Sequence, residues 1–274
     1  MSGSTRASAL GTGRPLKVRE FKARDESQPR RTICTSQAGT RSATQKSRTF
    51  SGRMSVFDII GPRMVGPSSS HTAGALRLGL LARGLLGRTP ERARVGLHGS
   101  FATTYRGHGT DRAVAAGLLG MAPDDPRIPR SLEVARERGL DVRFEPLDLG
   151  PGAHPATLAF ELEADGERAT MVGASVGGGS VQVTSVNGRD VDLTGEYDTL
   201  IVQARDIPGT TASITHLLAE RGVNIAFLEV SREKRGREAT MLIEADHEIP
   251  DDVVEQVQAF EWVRDARRLS KVTD

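Results

Sequence analysis

The chain has 274 residues, 37 Lys+Arg against 35 Asp+Glu, one Cys and 4% aromatics, a length that allows one large domain or two ordinary ones with sizeable cores. A single cysteine excludes a disulfide framework, a cysteine-rich zinc module and an iron–sulfur cluster held by this chain alone. The best apolar stretch, 73–86, is broken by Arg77 and Arg83, so no membrane span is predicted. The net charge of +2 and pI near 8.9 average two unlike regions. Residues 1–53 carry nine Arg and three Lys against Glu20, Asp25 and Glu26, a net +9, whereas 54–274 carry 25 basic and 32 acidic residues, a net −7. The first segment is rich in Ser, Thr, Arg and Gly without apolar periodicity, so it reads as a disordered basic tail. Three readings of it stand open. It is a nucleic-acid-binding arm, short of stacking groups with only Phe21 and Phe50; an Arg- and Ser-rich transit peptide; or the product of a start set too early, the functional chain beginning at Met54. Cys34 falls in this tail.

The body begins where patterned sequence begins. A helix is predicted over 73–86, with Leu76, Leu80, Leu81 and Leu85 on one face behind a Ser/Thr run. A strand follows over 94–100, then an Ala-rich helix over 111–119 opened by Thr110, and a helix over 128–138. Strands are predicted over 141–147, 157–164, 169–176 and 181–186, with Asp165-Gly166 and Asn187-Gly188 as hairpin turns. This is an α+β pattern. Beyond 196 the order becomes regular: strand 199–205, the turn Asp206-Ile207-Pro208-Gly209, helix 211–221, strands 223–232 and 237–245, helix 250–260 and strand 263–269. That βαββαβ order is ferredoxin-like. The predicted organisation is a tail over 1–53, a first domain over 54–195 and a second over 197–274.

Three polar clusters carry the candidate chemistry. Gly66-Pro67-Ser68-Ser69-Ser70-His71-Thr72 stands directly ahead of a helix, whose N-terminal amides and dipole suit a carboxylate or phosphate. An N-cap uses one such residue; four hydroxyls and a histidine that titrates near neutrality read as a binding site. Gly107-His108-Gly109-Thr110-Asp111 again precedes a predicted helix, and by itself is accounted for by a glycine turn with a Thr cap. His154-Pro155-Ala156-Thr157 accompanies Gly173-Ala174-Ser175-Val176-Gly177-Gly178-Gly179, where three glycines after a strand suit a tight turn or close contact. The inventory excludes other chemistries. The body has only Lys234 and Lys271, both away from these clusters, so no pyridoxal phosphate Schiff base is expected. No Walker A lysine, no GxGxxG unit and no His-x3-His pair is present.

Two resemblances follow from these motifs. Asp206-Ile207-Pro208-Gly209 before a helix, with Gly222-Val223-Asn224-Ile225 opening the next strand, resembles an ACT domain over about 198–270. Such domains usually bind amino acids between paired copies, which makes Asp206, Gly209 and Asn224 candidate effector-binding residues; Asp206 stands where an amide or histidine is often found. Taken in order, Ser55-Val-Phe-Asp-Ile-Ile-Gly-Pro62, Met64-Val-Gly-Pro-Ser-Ser-Ser-His-Thr-Ala-Gly74, Gly99-Ser-Phe-Ala102, Gly107-His-Gly-Thr-Asp111, His154-Pro155 and Ser175-Val-Gly-Gly-Gly179 resemble the β subunit of bacterial iron–sulfur L-serine dehydratases (L-serine ammonia-lyases).

The resemblance implies an allosteric-substrate-binding-like first domain, related to one in some phosphoglycerate dehydrogenases, followed by the ACT domain. It implies conversion of L-serine to pyruvate and ammonia in the cytoplasm, in amino-acid catabolism feeding gluconeogenesis. A [4Fe–4S] cluster on a separate α subunit would act as Lewis acid, in an αβ hetero-oligomer with no metal ligand in this chain and no nucleic-acid partner. His71, His108 and His154 are then the candidate bases, in that order. Ser68, Ser69, Ser70, Thr72, Gly109 and Thr110 are the candidate substrate-binding residues. A non-catalytic amino-acid-sensing subunit is the alternative.

Overall fold

The structure is a computed structural model in which residues 64–232 and 236–273 are described. The basic tail, Met54, the motif that follows it and Lys234 lie outside those residues. No helix among the described residues is long and apolar enough to cross a membrane.

After a π-helical turn at Ser69–Gly74 come helix α1 (Ala75–Leu86), strand β1 (Arg92–Leu97), helices α2 (Ser100–His108), α3 (Thr110–Leu118) and α4 (Ser131–Glu137), and strands β2 (Asp141–Pro146), β3 (Thr157–Ala164), β4 (Glu167–Gly177), β5 (Ser180–Val186) and β6 (Arg189–Leu193). The sheet order is β2-β1-β3-β4-β5-β6, with only β1–β2 parallel. Both predicted hairpin turns are present: Asp165-Gly166 (φ 50°, 78°) and Asn187-Gly188 (φ 49°, 74°) take the left-handed pairs that match strand twist. Helix α1 buries Leu76, Leu78, Leu81 and Leu85 against β3 and β4 and crosses α3 closely. A Cβ on Gly117 would lie 2.2 Å from the Leu76 carbonyl, and one on Gly79 2.8 Å from that of Val114, so the crossing requires glycine on both helices.

Four local expectations are corrected. The strand predicted over 94–100 ends at Leu97, because Gly99 (φ 58°) turns the chain into α2. That helix was not predicted: Thr103, Thr104 and Gly107 are weak helix formers, and Phe101 is its one buried residue. The threonines are accommodated by donating to the Ser100 carbonyl at 3.1 and 2.7 Å. Strand β6 was also missed, being a short edge strand in which only Leu193 is buried. The helix predicted over 128–138 opens as a 3-10 turn, Ile128–Arg130, around Pro129.

The remaining elements are β7 (Asp198–Arg205), α5 (Thr210–Glu220), β8 (Ile225–Arg232), β9 (Glu238–Ala245), α6 (Asp251–Gln258) and β10 (Val263–Leu269). Their antiparallel sheet, ordered β10-β7-β9-β8, is the ferredoxin-like arrangement expected. Period-two alternation splits its strands. Leu200, Val202, Met241 and Ile243 pack beneath α5 and α6, while Ile201, Leu242 and Leu269 join the core around α1. The described residues accordingly form one compact unit. Arg189–Glu238 (3.0 Å) and Arg267–Glu167 (3.1 Å) tie the two sheets at the surface.

Candidate functional site

The serine-rich segment is wound as the π-helical turn Ser69–Gly74, wider than an α-helix and a form that recurs at functional positions. Ser68 caps it, its Oγ accepting from the His71 N–H at 3.1 Å and its carbonyl from the Thr72 N–H at 2.9 Å. Ser70 Oγ lies 3.0 Å from His71 Nδ1 and 3.4 Å from Ser68 Oγ, forming a row of three polar side chains. The first amides of the turn stand at the positive end of the α1 dipole, where an anion is favoured.

Helix α2 supplies the other wall. Phe101 and His108 are seven residues apart and share one face. The His71 ring meets Phe101 edge-on at 5.0 Å and lies 4.9 Å from the His108 ring. Burial first, and then the charge of His108, holds His71 below the ordinary histidine pKa. Thr72 Oγ1 donates to the His108 carbonyl at 3.2 Å and so pins the end of α2 to the turn. Gly107 and His108 are thus the last residues of a helix, not a loop ahead of one as expected. Gly109 (φ 67°) makes the break from which Thr110 opens α3. His108 Nδ1 and Thr110 Oγ1 are buried with no hydrogen-bond partner among the described residues.

The glycine run does form a tight turn: Gly177, Gly178 and Gly179 have φ of 112°, 60° and 87° between β4 and β5. This hairpin docks on the start of α1, where Arg77, 5% exposed, donates to the Gly179 carbonyl at 2.8 Å. Ser175 lies beneath, buried against Gly74, with its Oγ unpaired among the described residues. His154 stands apart on an exposed loop ahead of β3. Its Nδ1 accepts from the Ala156 N–H at 3.2 Å, and the loop joins the cluster through Ser175 N–H to the Ala156 carbonyl at 2.9 Å.

The structure therefore gathers Ser68, Ser69, Ser70, His71, Thr72, His108, Gly109 and Thr110 in one place and leaves His154 at its margin. Phe101, Arg77 and Ser175 complete the cluster without having been singled out. Ser175 belonged to a quoted motif, but its approach to Gly74, 101 positions away, leaves no local signal.

In the second sheet the three candidate effector residues separate. Asp206 Oδ2 accepts from the Arg232 guanidinium at 3.1 Å and the Gly236 N–H at 2.9 Å. Gly209 (φ 94°) opens α5 nearby. Asn224 donates to Asp246 at the opposite end, where Asp198 pairs Ala245. The length of β7 lies between, about 23 Å at ~3.3 Å per residue. Among the described residues there is no cysteine and no group of three or more His, Cys, Asp or Glu placed to hold a metal ion. This donor set does not fit a [4Fe–4S] cluster, which takes thiolates.

Comparison with known proteins gives concordant matches. The serine dehydratase beta chain family profile matches residues 55–141 and the ACT domain profile residues 199–261. A protein of Bacillus subtilis named probable L-serine dehydratase, beta chain, is 42% identical over 74% of this chain and 92% of its own length. The L-serine dehydratase beta chain of Peptoniphilus asaccharolyticus is 35% identical over 76% and 94% respectively. A D-3-phosphoglycerate dehydrogenase of Methanocaldococcus jannaschii is 31% identical over 39% of this chain and 20% of its own. With two such relatives matched almost end to end, and with the ACT fold in place, the chain belongs to the serine dehydratase beta chain family.

Proposed function

We propose that this chain is the β subunit of an L-serine ammonia-lyase, which converts L-serine to pyruvate and ammonia together with an α subunit. The observation that carries the reading is the His71 imidazole, held between Ser70 and His108 at the mouth of a helix whose amides suit a carboxylate. The [4Fe–4S] cluster implied by the resemblance would supply a Lewis acid for the substrate hydroxyl, and its thiolates would come from the α subunit. This chain's part is to bind the amino acid and move one proton. The carboxylate is received by the amides and hydroxyls of Ser68, Ser69 and Ser70, while Thr72, whose N–H and hydroxyl are engaged by the Ser68 and His108 carbonyls, holds the turn in place, with Gly109 and Thr110 closing the opposite side.

His71 is the base for the Cα proton. With Nδ1–H donating to Ser70 Oγ, its Nε2 lone pair is the free acceptor, and a lowered pKa keeps that ring neutral at working pH. Loss of the proton and of hydroxide leaves an enamine, which tautomerises and is hydrolysed to pyruvate and ammonia. His108 orients and electrostatically tunes His71. His154, whose Nδ1 already accepts a hydrogen bond, has its Nε2 as the protonated nitrogen when neutral, which suits a donor to substrate more than a base.

The test is anaerobic co-expression with a cysteine-bearing α subunit and an assay for pyruvate from L-serine. His71→Ala is expected to lower kcat by about 10²–10⁴-fold with the cluster spectrum unchanged. Retained turnover would remove His71 from the role, and a wild-type complex that binds serine without turnover would favour the amino-acid-sensing alternative.

For the ACT domain we propose pairing between copies with an amino-acid effector at the junction. Strand β8 is a sheet edge that exposes Phe227, Leu228 and Val230 at 40%, 42% and 48%. With Asp206 and Gly209 at one end of the sheet and Asn224 at the other, a ligand touching all three would need two chains.

A further inference from the structure

Gly74 has ordinary helical angles, φ −62° and ψ −41°, so its backbone does not call for glycine, which is less favourable in a helix than alanine. What it lacks is a Cβ. An atom there would lie 2.1 Å from Ser175 Oγ and 2.7 Å from Ser175 Cβ. The Ser175 hydroxyl therefore fills the notch that Gly74 leaves, at the junction where the π-helical turn becomes α1. That hydroxyl is 1% exposed in its residue and has no hydrogen-bond partner among the described residues. Leaving a buried hydroxyl unpaired is destabilising, so alanine would suit the resting core better if burial were the only requirement. Strand β4 is itself anchored at this point by Ser175 N–H to the Ala156 carbonyl at 2.9 Å, and four residues on, in the hairpin that follows it, Arg77 donates to the Gly179 carbonyl at 2.8 Å.

We propose that Ser175 is a positioning residue for the site: its side chain, seated in the Gly74 notch, holds the π-helical register that presents Ser70 and His71. The inference rests on reading Ser70–His71 as the reacting pair. Reversion of the turn from i→i+5 to i→i+4 bonding removes one residue from the turn, and each residue advances a helix by about 100°. Such a slip would swing His71 away from Phe101 and His108. Within the same turn Thr72 packs where a Gly66 Cβ would fall, 2.3 Å from Thr72 Cγ2. The contact at Gly74 is the one made across sheet and helix, and it acts through His71 without touching substrate.

The experiment is a volume-exchange cycle at the two positions in the reconstituted two-subunit enzyme. Ser175→Ala, which empties the notch, is expected to lower kcat/KM about tenfold, and Gly74→Ala, which overfills it, about a hundredfold, the range that an ångström of misplacement costs. The double variant Gly74→Ala/Ser175→Gly moves a carbon from one side of the notch to the other. It is expected to recover most of the loss, a coupling that independent sites would not show. A folded double variant no more active than Gly74→Ala would overturn the proposal in favour of a chemical role for the hydroxyl, and a wild-type-like Ser175→Ala would overturn it outright. Amide hydrogen exchange across residues 69–75 in the chain alone gives a second reading, faster in Ser175→Ala and restored in the double variant. It decides the question even if wild-type enzyme makes no pyruvate, an outcome that would sink the proposed function instead; unchanged exchange in Ser175→Ala would count against the positioning role.

Discussion

The turn around His71 half-buries a titratable group and the sheet around Asp198 buries one fully, with opposite consequences. At Asp198, 4% exposed, the carboxylate meets the Arg268 guanidinium at 3.0 Å and the Ile249 N–H at 3.0 Å, while Arg268 also reaches Asp251 and Glu248. Burial raises the Asp198 pKa, against the pull of those two donors. At His71 burial lowers the pKa, and the neighbouring charge of His108 adds to the effect. In both places burial favours the neutral form, but the acid is bonded from several sides and the imidazole keeps one nitrogen without a partner among the described residues. The linked stability runs in opposite directions. A raised acid pKa means the folded state binds the proton more tightly, so its contribution falls as pH rises through the interval above the unfolded carboxylate value near 4. A lowered histidine pKa makes the folded state lose stability as pH falls below about 6.5. One region is bonded as a staple, the other is left able to react.

The contrast is broken most severely by removing the staple's cation. Arg268→Met leaves a buried carboxylate without its counter-charge, and is expected to destabilise the fold by about 3–5 kcal/mol at pH 7. The loss should shrink toward pH 4 as Asp198 takes up its proton, and Arg268→Met/Asp198→Asn should lie nearer wild type. Thermal melts at both pH values check the sign: a loss that grew on acidification would mean that burial does not control this carboxyl.

How far the two regions are separate is read at Leu269. Its side chain, 1% exposed, belongs to the core around α1, and a Cβ on Gly84 would lie 3.3 Å from its Cδ2. Leu269→Ala is expected to cost about 2–5 kcal/mol and to lower a single unfolding transition. Two resolved transitions in calorimetry would show that the ACT sheet unfolds independently of α1.

The legibility of the sequence follows the same contrast. In the ACT domain the period-two strands, the Asp206–Gly209 turn and the helix spacing are local, and each of the six elements was placed within two residues of its observed bounds. Around His71 the serine run, the glycine break at Gly109 and the three-glycine hairpin were legible as points where something binds or turns. What joins them was not. Thr72 meeting the His108 carbonyl and Ser175 meeting Gly74 are contacts across 36 and 101 positions, and no period or propensity records them. Helix α2 was hidden because its hydroxyl-rich residues do not favour helix, although Phe101 and His108 fall on one face once it forms. The effector candidates show a different limit, since residues linked by a motif's logic lie at the two ends of one sheet, and sequence spacing does not record which of two copies each would serve.

The finest test concerns the pair of histidines themselves. His108 contributes its carbonyl to Thr72 and its ring to His71, and only the second is lost in His108→Gln. Removing the ring removes the electrostatic part of the His71 shift and leaves the larger part, burial, in place. The His71 pKa should therefore rise part of the way back toward the ordinary histidine value. If His71 is the base, the acid limb of the kcat/KM profile moves to higher pH by that amount while turnover at pH 8 is largely kept. A limb that stays in place would mean that the ring of His108 does not reach His71 electrostatically. Turnover lost at every pH would transfer the role of base to His108, whose buried Nδ1 has no partner among the described residues. That second result would recast the neutral, partly bonded imidazole of the serine turn as a neighbour of the chemistry, with the unpaired nitrogen on α2 as its centre.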